Sequence, residues 1–314
     1  MTEYKVYSGE LPILSTAVDL SSILRIQTEV LKAIHDSLYE KGLIQLMPVI
    51  FSSITDPLNH PVYEASIDYL DQKLMLTKSM ILHKQIAIAM LGVKGIYIMS
   101  PNVRLETGKK YLTSNKHLLE FTQVDIELSG ATSEEFMVLM EEVIIKILSR
   151  VKERCWRELE RLKVELQIPQ APFKRFNSWE LHALYGEGFE QEISLREKDL
   201  FWIADFEREF YDKEDTDRLG HYLNYDLYYP DGFGEALSGG ERDFEYEILL
   251  RKLMDRKQSP NDFEIYMEYA KSGALVPSAG GGLGVERLIR FITKRNHIKE
   301  ITPFPKLPGQ RIYL

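Results

Sequence analysis

Apolar residues recur every three or four positions between residues 21 and 41, at Ile23, Leu24, Ile26, Val30, Leu31, Ile34 and Leu38. This spacing predicts an amphipathic helix, and Gly42 brings it to an end. Residues 43–51 then form an apolar run interrupted by Pro48, which reads as a strand. A proline that cannot donate to the ladder pushes that strand towards a sheet edge. A second helix is predicted over 77–91. Thr132 and Glu135 make a capping box at the head of a long helix running to about Leu162. Residues 216–242, rich in Tyr, Gly and Asp, read as strands joined by turns. The glycine-rich stretch 280–284 leads into a further helix near Val285. No repeat, low-complexity tract or Ser/Gly linker divides the chain, so one domain, 1–314, is expected.

Two strand-like segments, 95–106 and 117–128, flank a polar loop carrying Lys109, Lys110 and Lys116. Side chains alternate between the faces of a strand. In the second segment Val124, Ile126 and Leu128 share one face, and Phe121, Gln123, Asp125 and Glu127 share the other. In the first, Val103 and Leu105 oppose Asn102, Arg104 and Glu106. With the apolar faces packed on helices, the remaining faces form one surface bearing an arginine, carboxylates and an aromatic ring. A solvated sheet face has the same pattern. The adjacent lysine loop and glycine-rich stretch tilt the reading towards a site.

Composition narrows the classes. A chain of 314 residues, 44% hydrophobic, can bury a full core of one large enzyme domain. The net charge of −9 disfavours a nucleic-acid binder, whose affinity rests on neutralising phosphates. The single cysteine, Cys155, excludes a disulfide within the chain and reads as a small apolar helix residue. Residues 1–6 show no signal peptide and no apolar run spans a bilayer, so a cytoplasmic protein with no membrane partner is expected. Residues 280–284 lie too near the C-terminus for a dinucleotide-binding βαβ unit, and they lack the lysine of a P-loop.

The blocks 103–106 and 117–121, with the loop between them, resemble motif 2 of class II aminoacyl-tRNA synthetases. Residues 280–288 resemble motif 3, and the helix at 21–41 with Pro48 resembles motif 1. Residues 234–242 are similar to the glutamate-to-arginine block of the aspartyl and asparaginyl enzymes. All four keep the family's order and spacing across nearly the whole chain. The resemblance implies an α+β fold, an antiparallel β-sheet flanked by helices. It also implies a homodimer formed through the motif 1-like helix and strand, and the use of ATP and Mg2+. By the same carry-over Arg104 binds the α-phosphate and the attacking carboxylate, and Glu106 accepts from the adenine amino group. Phe121 stacks on the ring, His117 reaches the γ-phosphate, and Arg287 holds the far side of the triphosphate. Arg104 and Arg287 are thus the catalytic pair, and Glu235 and Ser238 hold magnesium.

The stretch 76–85 resembles the family's substrate-binding helix, with Ser79 near the α-amino group. Lys84 and Asp125 match the aspartyl rather than the asparaginyl pattern, and Arg242 offers a bidentate fork for a carboxylate. Aspartate is therefore the expected substrate. Two positions depart from the aminoacylating enzymes: Ile81 stands where glutamine is usual, and Lys116 where arginine precedes the loop histidine. Only about twenty residues precede the motif 1-like helix. The anticodon-reading OB-fold of roughly a hundred residues is thus expected to be absent. In this the chain resembles the archaeal asparagine synthetases related to asparaginyl-tRNA synthetase, on the stretches 52–57, 76–85, 201–212 and 277–288.

That resemblance implies aspartyl-adenylate formation followed by attack of free ammonia, with no tRNA partner. Asp125 and Glu127 are candidates for taking a proton from ammonium. Two rival readings stand beside it: a truncated synthetase loading tRNA or another acceptor, and a non-catalytic paralogue. The retention of Arg104, Glu106, Glu235 and Arg287 weighs against the last.

Overall fold

The computed structural model describes residues 17–312, so the N-terminal residues read above for a signal peptide lie outside them. The helix expected from the apolar spacing is α1 (Ala17–Glu40), and Gly42 follows it at φ +81°, a left-handed stop that glycine adopts without strain. The apolar run becomes the short strand β1 (Ile44–Leu46), at the edge of the main sheet, with Pro48 just beyond its end. A small separate sheet follows, made of β2 (Phe51–Ser52), β4 (Ser66–Tyr69) and β5 (Gln72–Leu76). Strand β3 (Val62–Tyr63) pairs apart from it with β7 (Leu105–Glu106).

The helix expected over 77–91 is α2 (Ile81–Leu91) and starts four residues late. Residues 77 and 78 are committed elsewhere. Thr77 donates to Ile50 O and accepts from Val103 N, and Lys78 N donates to Thr55 Oγ1. Ser79 therefore sits before the helix rather than in it.

The informative strand pair is β6 (Gly95–Val103) and β8 (Glu120–Ser129), and the lysine loop holds one helical turn, α3 (Lys109–Leu112). Thr132 and Glu135 do form the capping box of α4 (Ser133–Arg154). The run expected to reach Leu162 breaks at Cys155 and resumes as α5 (Trp156–Arg161). Next come β9 (Lys174–Asn177), α6 (Ser178–Tyr185), α7 (Phe189–Arg196) and β10 (Phe201–Ala204). The Tyr/Gly/Asp-rich segment gives β11 (Asn224–Tyr229) and β12 (Gly234–Glu241), followed by α8 (Tyr246–Asp255) and α9 (Glu264–Lys271). The glycine-rich stretch is a central strand, β13 (Ser278–Gly284), and α10 (Val285–Ile292) follows it.

The main sheet runs β1-β6-β8-β13-β12-β11-β10-β9. Its six inner strands are antiparallel as expected, but β1 lies parallel to β6 and β9 parallel to β10, so the sheet is mixed. One face is the core. Val124, Ile126 and Leu128 pack with Ile23, Ile26, Val30, Ile34 and Leu38 of α1, with α4, and with Leu288 and Ile292 of α10. Each fully buried side chain of this kind contributes roughly 1.5–3 kcal/mol. A second cluster, with Leu82, Phe210, Leu249 and Tyr266, clamps α2, α8 and α9 together.

The other face is nearly bare across β12 and β13. A Cβ at Gly280 would stand 1.9 Å from Glu127 Oε2 and 2.3 Å from Ile126 O, and one at Gly282 would stand 2.9 Å from Gln123 Nε2 and 3.1 Å from Asp125 Oδ1. Glycine here marks close approach of neighbouring groups, and it leaves a trench along the sheet. Among the described residues no helix is long and apolar enough to cross a membrane.

Candidate active site

The trench opens into a cavity of about 860 Å³. Strand register builds its floor: Asp125 of β8 faces Gly282 of β13, Gly282 faces Ser238 of β12, and Ser238 faces Asp226 of β11. Directly opposed residues share a face, so one row carries two carboxylates, a hydroxyl and a gap. Every site residue singled out from the sequence lines this cavity: Ser79, Lys84, Arg104, Glu106, His117, Phe121, Asp125, Glu235, Ser238, Arg242 and Arg287.

At one end Lys84 reaches in from α2, 2% exposed. Its Nζ lies 3.4 Å from Asp125 Oδ1, 3.4 Å from Glu127 Oε2, 3.2 Å from Ile126 O and 3.3 Å from Gly281 O. Arg242 Nε donates to Glu127 Oε1 at 3.1 Å, and its Nη1 lies 3.4 Å from Asp212 Oδ1. The two cations do not stand uncompensated, as their sequence positions alone suggest. Asp125, Glu127 and Asp212 surround them, a coupling across four elements that no local pattern reveals. Burial pushes the Asp125 carboxyl up, against the pull of Lys84, and its Oδ2 is buried without a hydrogen-bond partner. Burial also opposes ionisation of Glu127, but Arg242 and Lys84 outweigh it and hold that carboxyl down. Ser79 Oγ accepts from Ile81 N at 3.2 Å, and buried Ile81 presents an apolar wall where a glutamine was usual.

At the other end the Arg104 guanidinium stands 5.3 Å from the Phe121 ring centroid and donates through Nε to Lys78 O at 2.9 Å. Glu106 has a partner the sequence did not suggest: His60 Nε2 lies 3.0 Å from its Oε2. His117 packs edge-on against Tyr111 with ring centroids 4.9 Å apart, and its Nδ1 contacts Ser114 Oγ. Burial, then Arg287 and Lys116, drive the His117 ring down to about 3, so it is neutral at pH 7. It is therefore a hydrogen-bonding group rather than a cation. Arg287 Nη1 donates to Glu235 Oε1 at 3.0 Å. Burial opposes ionisation of Glu235, yet Arg287, Lys116 and Arg104 keep its carboxyl low.

Oxygen donors collect between the two ends. Glu235 and Ser238 are joined by Asp226, which sequence reasoning passed over because it sits inside a tyrosine-rich strand. Arg208 Nη1 now bridges Asp226 Oδ1 at 2.7 Å and Ser238 Oγ at 2.6 Å. Burial pushes the Asp226 carboxyl to about 7 despite that guanidinium. Two carboxylates and a hydroxyl suit magnesium, which takes few protein ligands and completes its shell with phosphates and water. Among the described residues no group of three or more His, Cys, Asp or Glu side chains could hold a metal ion. Arg208, Asp56, Glu209 and Asp212 also line the cavity; the stretches 52–57 and 201–212 that hold them carried the resemblance, but no role was assigned to them from sequence. They come from loops, which carry no periodicity to flag them.

The architecture is that of the class II aminoacyl-tRNA synthetases. Asparaginyl-tRNA synthetase from Pyrococcus horikoshii, solved with asparaginyl-adenylate, superposes with a TM-score of 0.85, covering 94% of this chain and 70% of that one at 24% identity. The sequence goes further than the fold. The profile of the family "tRNA synthetases class II (D, K and N)" matches residues 13–308, and the chain belongs to that family, which makes it a ligase. An Aspartate--tRNA(Asp/Asn) ligase of Methanopyrus kandleri is 33% identical over 91% of this chain and 67% of its own length. An Asparagine--tRNA ligase of Pyrococcus abyssi is 27% identical over 94% and 70% respectively.

Proposed function

We propose that this class II catalytic domain activates aspartate with ATP as aspartyl-adenylate, releasing pyrophosphate, and passes the acyl group to ammonia to give asparagine and AMP. The observation that carries the first step is one continuous cavity with Lys84 and Arg242 at one end and Arg104, Phe121 and Arg287 at the other. A small dicarboxylate fits between a cation pair and a phosphate-binding arginine. Arg104 would hold the attacking carboxylate against the α-phosphate and stabilise the charge that develops there. Phe121 and Glu106 would orient the adenine, Arg287 and His117 the outer phosphates. Magnesium, when bound by Glu235, Asp226 and Ser238, supplies Lewis-acid shielding of the phosphate charge.

To yield asparagine, the β-carboxylate must face Arg104 while the α-carboxylate faces Lys84 and Arg242. The apolar Ile81 wall supports this reversed pose. A ligand-bound structure with the α-carboxylate beside Arg104 would sink it. Two features support ammonia as the acceptor. Asp56 and Asp212 line the amino-acid end with anions, and the chain's net charge of −9 is a poor match for a polyanion.

The second reading is transfer to tRNA, favoured by the relatives, which are named as tRNA ligases. The deciding experiment is aspartate-dependent ATP–pyrophosphate exchange, followed by product analysis with ammonium or tRNA as acceptor. Asparagine and AMP from ammonium are expected. Absence of exchange refutes adenylation, whereas charged tRNA without free asparagine establishes the second reading. The same reading includes a homodimer, supported by the exposed apolar residues Ile44, Met47, Ile50 and Phe51 around edge strand β1.

A further inference from the structure

Ammonia presents a chemical difficulty. At neutral pH it is almost entirely ammonium, which has no lone pair, so attack on an acyl-adenylate needs a base inside the site. The sequence offered Asp125 and Glu127, and the structure disfavours both. Glu127 accepts from Arg242 Nε at 3.1 Å and from Ser278 Oγ at 2.8 Å, and faces Lys84, which leaves it firmly ionised with little capacity to spare. Asp125 shares its charge with Lys84, the group assigned to the substrate's second carboxylate.

The cavity wall at 206–212 holds a third carboxyl. Glu209 lines the cavity, and among the described residues only its own backbone N–H bonds to its carboxyl. Its acidic neighbours are anchored. Asp56 Oδ1 accepts from Tyr211 Oη at 3.2 Å and Leu58 N at 3.1 Å. Asp212 accepts from Asn224 Nδ2 at 2.9 Å and Arg242 Nη1 at 3.4 Å. Two anchored anions and one carboxyl bonded to its own backbone line this part of the wall, and Arg208 is the cation that acts on Glu209.

We propose that Glu209 is the catalytic base of the amidation step, taking a proton from an ammonium ion held against Asp56 and Asp212. This rests on the ammonia-accepting reading above. Ammonium gives one proton to the Glu209 carboxylate, and the freed nitrogen lone pair attacks the acyl carbon. The C–N bond forms, the C–O bond to the α-phosphate breaks, and AMP leaves with that electron pair. The surplus proton on nitrogen passes to the departing phosphate and then to solvent, and Glu209 returns its proton to water. No oxidant or second cofactor enters.

The electrostatics agree with this role. Burial, then Asp212 and Asp56, raise the Glu209 carboxyl to about 8, against the pull of Arg208, and Tyr211 lies in the same field. A base poised near the working pH is the most effective one. An incoming ammonium adds the positive charge that favours its ionised form.

The test compares E209Q and E209A with the wild-type chain in three assays: aspartate-dependent exchange, asparagine formation from ammonium chloride, and aspartyl-hydroxamate formation from hydroxylamine. Hydroxylamine is uncharged at neutral pH and needs no base to expose its lone pair. Exchange and hydroxamate formation are expected to stay within about threefold of wild type, while the ammonium rate falls about 100-fold, the usual contribution of a general base. With saturating ammonium the wild-type rate should level off above about pH 8, whereas E209Q should keep rising with the free ammonia. The role of Glu209 is overturned if the ammonium and hydroxylamine rates fall together, or if exchange is lost as well. If wild type gives exchange and hydroxamate but no asparagine, the acceptor reading itself has failed and the base falls with it. Loss of the ammonium rate alone, with the other two assays intact, is the result that supports it.

Discussion

The bare strip of sheet is the feature on which the site depends, and Gly280→Ala tests it. The added Cβ would stand 2.3 Å from Ile126 O, a backbone atom of the neighbouring strand that cannot rotate away, and 1.9 Å from Glu127 Oε2. Relief requires β8 and β13 to separate, weakening their ladder, and Glu127 to leave Arg242 and Ser278. Overpacking a well-filled site costs about 1–3 kcal/mol. Breaking a buried ion pair adds about 3–5 kcal/mol. A loss of at least ~4 kcal/mol is therefore expected, a large part of the ~5–15 kcal/mol that holds a domain together. Urea unfolding followed by circular dichroism reads it as a lower midpoint at unchanged slope. Gly188→Ala is the control: no atom lies within 4 Å of its added Cβ and its φ is −91°, so a change below ~0.5 kcal/mol is expected. A midpoint for Gly280→Ala within experimental error of Gly188→Ala would refute the claim that close approach dictates these glycines.

Four further outcomes follow from the site. Lys84→Met leaves Asp125 and Glu127 without their shared cation, and should abolish aspartate-dependent exchange while ATP binding, measured by calorimetry, is retained. Asp226→Asn should raise the magnesium concentration for half-maximal exchange about tenfold, and an unchanged magnesium titration would remove Asp226 from the donor set. His117 is held far below the ordinary histidine range, so the folded state resists a proton that the unfolded chain accepts. Its contribution is complete above about pH 6.5 and is lost as pH falls towards 3, so His117→Gln should flatten the pH dependence of urea stability across that window. Met47→Asp, at the most exposed apolar position beside β1, should convert a dimer to a monomer in sedimentation equilibrium; a monomeric wild type would defeat the dimer proposal.

Much of the site was legible in the chain. The alternation of β8 separated Val124, Ile126 and Leu128 from Phe121, Gln123 and Asp125, because a strand's two faces meet different solvents. The capping box at Thr132 and the stop at Gly42 were also visible, since each is satisfied within a few residues. The resemblance of four blocks, in order, pointed to the site residues that the cavity brings together. What failed locally failed for tertiary reasons. Helix α2 begins at Ile81 because the amides and carbonyls of 77 and 78 bond instead to Ile50, Val103, Thr55 and Arg104. The long helix breaks at Cys155, and the sheet gains parallel edges that no strand's own residues specify.

The carboxylates around Lys84 and Arg242, the histidine on Glu106, the arginine bridging Asp226 to Ser238, and the acidic surroundings of Glu209 were decided only by the fold. Sequence determines what each segment can form and which face of it is apolar, because those depend on neighbours a few residues away. Which charges meet depends on chain segments far apart in sequence, 115 residues for Glu127 and Arg242, and that contact exists only once the sheet has closed.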